Sequence, residues 1–278
     1  MYPPAQRTLD ILELLADAPE GLALSVIGAR LRIPKSATHR LLAGLAAHGF
    51  VRQASATTHY TLTLKLAALG FRHLAGTRIE EVCQPVLDRL AIRSGELARL
   101  AVVEGERMTW VAKAQGTLSG LRYDADAGRD VVLHATAVGK VWLASLPEAR
   151  ALAIVAQTGF DSGGNLGHRA ARSLTAMRQH LRETRKRGYG EAVDEGEPGV
   201  AALAAAVYTS RATGSPVVAT VSVAGPLARM TAPRRAELIH DVLAAAAEVT
   251  ECWPVREHHR RGTPANAPQP TTELAHAV

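Results

Sequence analysis

Cysteine is nearly absent: Cys83 and Cys252 are the only two in 278 residues. They lie far apart and outside any C-x-x-C pair, which excludes a disulfide framework and a thiolate zinc site and leaves both expected in the core. No run approaches the ~18 consecutive apolar residues of a membrane span, and Met1 to Gln6 lacks the basic, then apolar, then small-residue order of a signal peptide. The chain is therefore expected in the cytoplasm, without a membrane partner. Eleven histidines are present, but no H-E-x-x-H or G-x-S-x-G accompanies them, so neither a metal ligand set, a cofactor nor a catalytic centre is expected. With 47% hydrophobic and 21% charged side chains, the composition is that of a globular protein with room for two modest domains.

Carboxylates are missing from one stretch. Residues 21 to 79 carry eight cations (Arg30, Arg32, Lys35, Arg40, Arg52, Lys65, Arg72 and Arg78) and no acid, against a net charge of +6 for the whole chain. Such a stretch is either a solvated face or a surface for a polyanion. Its hydrophobic pattern predicts a first helix from about Thr8 to Ala18 and a second from Val26 to Leu31 capped by Ser25. A third begins with Pro34, whose missing N–H suits a first turn. On the third helix Ala37, Leu41, Gly44, Leu45 and His48 fall on one side, while Lys35, Ser36, His39, Arg40 and Ala43 fall on the other. Gly49 ends it, and the alternation Phe50–Gln53 and His59–Leu62 reads as a hairpin. Three helices and a hairpin make a winged helix-turn-helix, which serves duplex DNA or, in a minority of uses, protein contacts alone. A helix of this width enters the major groove and presents Ser, Thr, His and Arg donors to bases and phosphates.

Arg7–Leu15, Gly21-Leu22, Ile33–Leu42 and His48–Val51 together resemble the DNA-binding domain of IclR-type transcriptional regulators, with two departures, Gly28 inside the second helix and Thr63 in place of a wing glycine. The resemblance implies double-stranded operator DNA as partner. Ser36, His39 and Arg40 are expected in the groove with Thr38 beside them, Lys35 and Arg52 on phosphates, and Thr58 and His59 at the wing. The winged domain is assigned to residues 6–63. A connector helix, 64–77, follows; Leu64, Leu66, Ala67, Leu69, Phe71 and Leu74 make it apolar on more than one side, which fits pairing with a second copy as a dimer or dimer of dimers.

The remainder, 78–253, reads as an α+β domain followed by a flexible, proline-containing tail, 254–278. Strands are expected at Leu97–Val103, Arg107–Lys113, about Gly120–Tyr123, Val200–Tyr208 and Val217–Val223. Helices are expected at Ile79–Ala91, Thr136–Ser145, Pro147–Gln157, Ser173–Arg187 and Pro233–Glu251, and Gly159–Gly167 is expected as a surface loop. Thr136 can cap a helix whose free amides would receive a small anion, or the helix is simply a capped core element. Gly139-Lys140 is followed by Val141, and His134 stands five before Gly139 where a phosphate loop has Gly, so a Walker A motif is absent.

The stretch Leu133–Ala144, Arg187-Gly188-Tyr189, Glu195–Val200 and Thr220–Pro226 resemble the GAF-like effector domain of the same family, so the likeness runs from about Gln6 to Trp253. It implies a small organic effector, such as a carboxylate or an aromatic compound. The pocket carried over by position is lined by Leu121, Tyr123, His134, Thr136, Ala137, Val138, Glu195, Val200, Ala202 and Ser222. Ala192 and Ala224 replace polar residues of the family, which leaves the effector open. The competing reading is a small-molecule enzyme or carrier with a protein-docking winged helix. Glu195 and Glu197, as paired carboxylates, would be its best candidates, but a Gly- and Pro-rich turn favours solvated loop charges.

Overall fold

The structure is a computed structural model that describes residues 4–117, 123, 131–160 and 165–253. The chain divides between Gly76 and Thr77 into two compact units. The tail and most of the strand expected near Gly120 lie outside the described residues.

In the first unit α1 (Pro4–Ala16), α2 (Leu24–Arg30) and α3 (Lys35–Ala47) precede a two-stranded wing, β1 (Val51–Gln53) and β2 (Tyr60–Leu62), with Val51 opposite Leu62. Its core is Ile11, Leu15, Ile27, Ile33, Leu42, Leu45, Val51 and Tyr60. Gly49, at φ 72°, turns the chain out of α3, and the amide of Phe50 reaches back to the Leu45 carbonyl at 2.9 Å. Two local expectations are corrected. Ser25 does not cap α2: the residue before that helix is Ala23, in extended conformation, without a side-chain cap bond. Pro34 precedes α3 as its N-cap residue and is not its first helical residue.

Gly28 has a structural reason. A Cβ there would stand 3.0 Å from the Ile33 carbonyl oxygen and 3.1 Å from Thr38 Oγ1, and Thr38 is held by its own hydrogen bonds to Ile33 and Pro34. Alanine at an exposed helix position would gain about 1 kcal/mol over glycine. Here the methyl meets two atoms that cannot yield without losing those bonds, so Gly28→Ala is expected to cost about 1 kcal/mol net. Urea denaturation would report it, and a stabilised variant would contradict close α2–α3 packing.

α4 (Lys65–Thr77) follows the wing and buries none of its residues, with Leu64 before it and Phe71 within it exposed. The second unit contains α5 (Ile79–Ser94) and a five-stranded antiparallel sheet in the order β4-β3-β7-β6-β5. Its strands are β3 (Leu97–Glu104), β4 (Arg107–Gln115), β5 (Gly190–Val193), β6 (Val200–Tyr208) and β7 (Val217–Pro226). One face packs on α5 and α9 (Ala232–Cys252) through Leu100, Leu203, Val221 and Val223. The other packs on α6 (Ala137–Ser145), α7 (Glu148–Thr158) and α8 (Leu174–Arg187) through Ala101, Met108, Ala192 and Ala204. Burial on both faces explains why β7 is apolar at nearly every position, since central covered strands do not alternate with solvent. β5 was not expected from the sequence. Alanines 202, 204 and 206 let α6 approach the sheet, and at Gly190 a Cβ would stand 2.3 Å from the Ala137 carbonyl oxygen. Cys83 is buried as expected; Cys252 is exposed, near the end of α9, contrary to expectation. Among the described residues no helix is long and apolar enough to cross a membrane.

Candidate functional site

On α3 the side chains sort by what the helix packs against. Thr38, Leu42 and Leu45 face the core, while Lys35, Ser36, His39 and Arg40 are exposed and, with Leu24, line one open depression of about 670 Å³. Neither Lys35 nor Arg40 is paired with a carboxylate among the described residues. Thr38 must be removed from the groove-facing set: it is 0% exposed, and its hydroxyl donates to the carbonyls of Ile33 at 3.3 Å and Pro34 at 3.1 Å. The inward stripe is therefore centred on Thr38, Leu42 and Leu45, with Ala37 and Leu41 at its half-buried edge and Gly44 and His48 exposed. In the wing Arg52 is exposed and its Nε donates to Thr61 Oγ1 at 3.3 Å. Thr58 stands at the exposed tip with φ 57°, and His59 is half-buried.

In the second unit Thr136 caps α6 as the sequence indicated: its Oγ1 accepts from the Gly139 amide at 3.2 Å and donates to the Val132 carbonyl at 2.9 Å. The turn after β5 lies against the start of this helix, since a Cβ on Gly196 would be 3.3 Å from the Ala135 carbonyl oxygen. Ala137 and Val138 are buried at the helix start, and Val200 and Ala202 are half-buried on β6. Ser222 pairs in register with Ala204 on β6, which places it on the face that Ala202 shares. His134 is buried, packs edge-on against Phe160 with ring centroids 5.1 Å apart, and has an Nε2 without a hydrogen-bond partner among the described residues. Burial holds it below the usual histidine range, with Arg172 adding to the effect. Leu121 lies outside the described residues. The Tyr123 hydroxyl donates to the exposed Glu197 at 2.8 Å, and burial pushes its pKa up to about 12.

Glu195 departs most from its expected setting. It is buried and not a solvated loop charge, and its carboxylate accepts from Lys140 Nζ at 2.6 Å and from the Val193 amide at 3.3 Å. Lys140, on α6, is equally buried and also donates to the Glu191 carbonyl at 2.9 Å. Burial draws the ammonium pKa down while Glu195 opposes that shift. His180 Nδ1 stands 3.5 Å from Glu195. The pair ties α6 to the turn beyond β5, and it occupies the carboxylate that the sequence placed in the pocket.

Arg99, Thr220 and Lys140 are buried polar residues that the sequence reading does not place in the pocket. Each carried a signal, a polar or basic side chain inside an otherwise apolar strand or helix. Arg99 is 8% exposed on β3, directly opposite Ser222, with its guanidinium carbon 3.7 Å from the centre of the Trp110 ring and 5.6 Å from that of Tyr123.

Two family profiles match the chain: the IclR helix-turn-helix domain over residues 4–55 and the bacterial transcriptional regulator IclR C-terminal domain over 71–251. The transcriptional repressor IclR of Escherichia coli is 29% identical over 245 residues, 88% of this chain and 87% of the repressor. The HTH-type transcriptional repressor AllR of the same organism is 29% identical over 239 residues, 85% of this chain and 86% of AllR. An IclR transcriptional regulator from Alicyclobacillus acidocaldarius has the same fold at TM-score 0.76 and 20% identity, covering 90% of this chain and 98% of that one. So has an IclR homologue from Microbacterium hydrocarbonoxydans complexed with 4-hydroxybenzoate, at TM-score 0.70 and 21% identity, covering 90% and 98%. With both halves matched in order, the chain belongs to the IclR family of bacterial transcriptional regulators.

Proposed function

We propose that this regulator binds operator DNA in the cytoplasm through residues 6–63 and that a small organic effector held in residues 78–253 controls that binding. The observation that carries the reading is the exposed set Lys35, Ser36, His39 and Arg40, gathered on one side of α3 in a segment without carboxylates. Lys35 and Arg52 position the phosphates, Ser36, His39 and Arg40 meet base edges, and Thr58 and His59 place the wing. The apolar residues of α4, none of them buried, pair with a second copy, so that two winged units meet paired half-sites. The effector lies against Tyr123, the start of α6 and the strand residues Ala202 and Ser222; the bound 4-hydroxybenzoate of the Microbacterium relative supports a ligand of that size. Binding then shifts the population between arrangements of the paired units that do and do not fit the operator. No catalytic step is assigned to any residue.

A gel-shift assay on the upstream region of the chain's own gene tests this. Retardation of that duplex, outcompeted by itself and not by a scrambled duplex, is the expected result. Equal competition by both, or no retardation, would favour a docking role for the winged unit.

A further inference from the structure

Three polar side-chain atoms are buried without a hydrogen-bond partner on the α6-facing side of the sheet: Arg99 Nε, Thr220 Oγ1 and Ser222 Oγ. The register brings them together. Arg99 stands opposite Ser222, and Thr220 stands opposite Ala101, one step along the same face. The guanidinium carbon lies 3.7 Å from the centre of the Trp110 ring and the group also reaches Tyr123, while its Nε is left without a partner. Burying an unpaired charge is costly, so buried cations ordinarily have carboxylate partners. Lys140, the other buried cation among the described residues, follows that rule by pairing with Glu195, and the half-buried Arg235 pairs with Glu191. Arg99 has no carboxylate in ion-pair contact among the described residues; Glu197, whose charge reaches it from farther off, is bonded to Tyr123. Thr220 and Ser222, at 0% and 1% exposure, each hold a hydroxyl donor that no described residue uses.

We infer that Arg99 is the specificity-determining residue of the effector site, receiving the carboxylate of a monocarboxylic acid together with the hydroxyls of Ser222 and Thr220. The inference rests on the reading of this face as the effector site and adds which end of the ligand meets the sheet. A planar guanidinium matches a carboxylate edge, and a single cation with neutral donors balances a single negative charge. A second anionic group on the ligand would meet Glu197 beyond Tyr123. The ligand's uncharged body lies toward α6.

The test is isothermal titration of the full chain with acetate, pyruvate, benzoate and 4-hydroxybenzoate, each paired with its neutral primary amide, and with phenyl phosphate. Wild type is compared with Arg99→Gln, Arg99→Lys and Ser222→Val. At least one acid is expected to bind at millimolar concentration or better, with its amide at least about tenfold weaker and the acid's affinity for Arg99→Gln reduced about tenfold to a hundredfold. Arg99→Lys should recover part of that loss. Without ligand, Arg99→Gln should melt no lower than wild type, because it removes a buried charge that no carboxylate among the described residues pairs with; a lower melting point would mean that Arg99 is structural. The assignment is overturned by an acid binding Arg99→Gln undiminished, by an amide matching its acid, by phenyl phosphate exceeding every acid, or by no acid binding. If a neutral compound binds and Ser222→Val abolishes it, the effector site stands and the carboxylate assignment alone fails. If binding survives Ser222→Val as well, both fail.

Discussion

Glu195→Ala is expected to destabilise the C-terminal unit by about 3 kcal/mol, because removing one member of a buried ion pair leaves the other as an uncompensated charge. The side chains of Lys140 and Glu195 are 4% and 9% exposed and their charged atoms are 2.5 Å apart, so neither can turn to bulk water without opening α6 or the turn after β5. Losses of about 3 to 5 kcal/mol are usual for such truncations. The lower end applies here for two reasons. Lys140 keeps the Glu191 carbonyl, and a polar pocket of about 110 Å³ beside the pair, lined also by His180, Arg169 and Arg187, gives water a foothold. For a unit of this size the melting temperature should fall on the order of ten degrees. The deficit should narrow as the pH is raised. Burial already draws the Lys140 ammonium down, and without Glu195 the folded variant releases that proton at lower pH than the unfolded chain, which holds it to about 10.4; stability rises with pH wherever the unfolded state binds more protons. Lys140→Met combined with Glu195→Leu should recover most of the loss, since the isolated charge is what costs most. A single variant that melts with wild type would show that the pair contributes nothing, and an unimproved double variant would show that the site cannot accept apolar atoms.

That pair also marks where sequence reading stops. Thr136 was legible as a cap because its hydroxyl acts within three residues, on the Gly139 amide, and the strand Val200–Tyr208 was legible because its composition and flanking turns are local. Lys140 and Glu195 lie 55 residues apart, and nothing in a turn rich in Gly and Pro announces that one of its acids is drawn inside. Arg99 looks like the outward residue of a half-solvated strand. It faces inward because the sheet is covered on both sides, a property of topology and not of β3 itself. β5 escaped notice for the same reason: only four residues long, it gains its identity from pairing with β6. On α3 the buried stripe lies about one position from the one the apolar residues predict, because it is centred on Thr38, which the sequence offers as a donor for DNA. Its hydroxyl is satisfied by carbonyls four and five residues earlier, and once satisfied it packs as a small β-branched core residue.

The displacement gives the sharpest test of the DNA interface. Lys35→Ala combined with Arg40→Ala is expected to weaken operator binding by about 2 to 4 kcal/mol and to flatten the dependence of log affinity on log salt. Each phosphate that a cation neutralises contributes about 0.9 to that slope, whereas an arginine reading a base edge is worth about 1 to 3 kcal/mol of specific affinity and leaves the slope nearly unchanged. Both cations are exposed, so their removal should leave folding intact. A slope reduced by about 2 would assign both to phosphates; a reduction near ~1 with weakened discrimination between operator and scrambled duplex would assign Arg40 to a base. Thr38→Val separates burial from DNA recognition. It removes a side-chain hydrogen bond at the α2–α3 junction, so stability should fall by about 1 kcal/mol, while affinity and salt slope stay at wild-type values because no donor is taken from the groove. Arg89→Ala, which breaks an exposed ion pair with Glu248 inside the second unit, serves as the control for net charge alone. Were the α3 double variant to bind like Arg89→Ala, the outward face of α3 would have no part in DNA binding. Were Thr38→Val to lose the operator while remaining folded, the groove-facing stripe would have to be redrawn around the threonine.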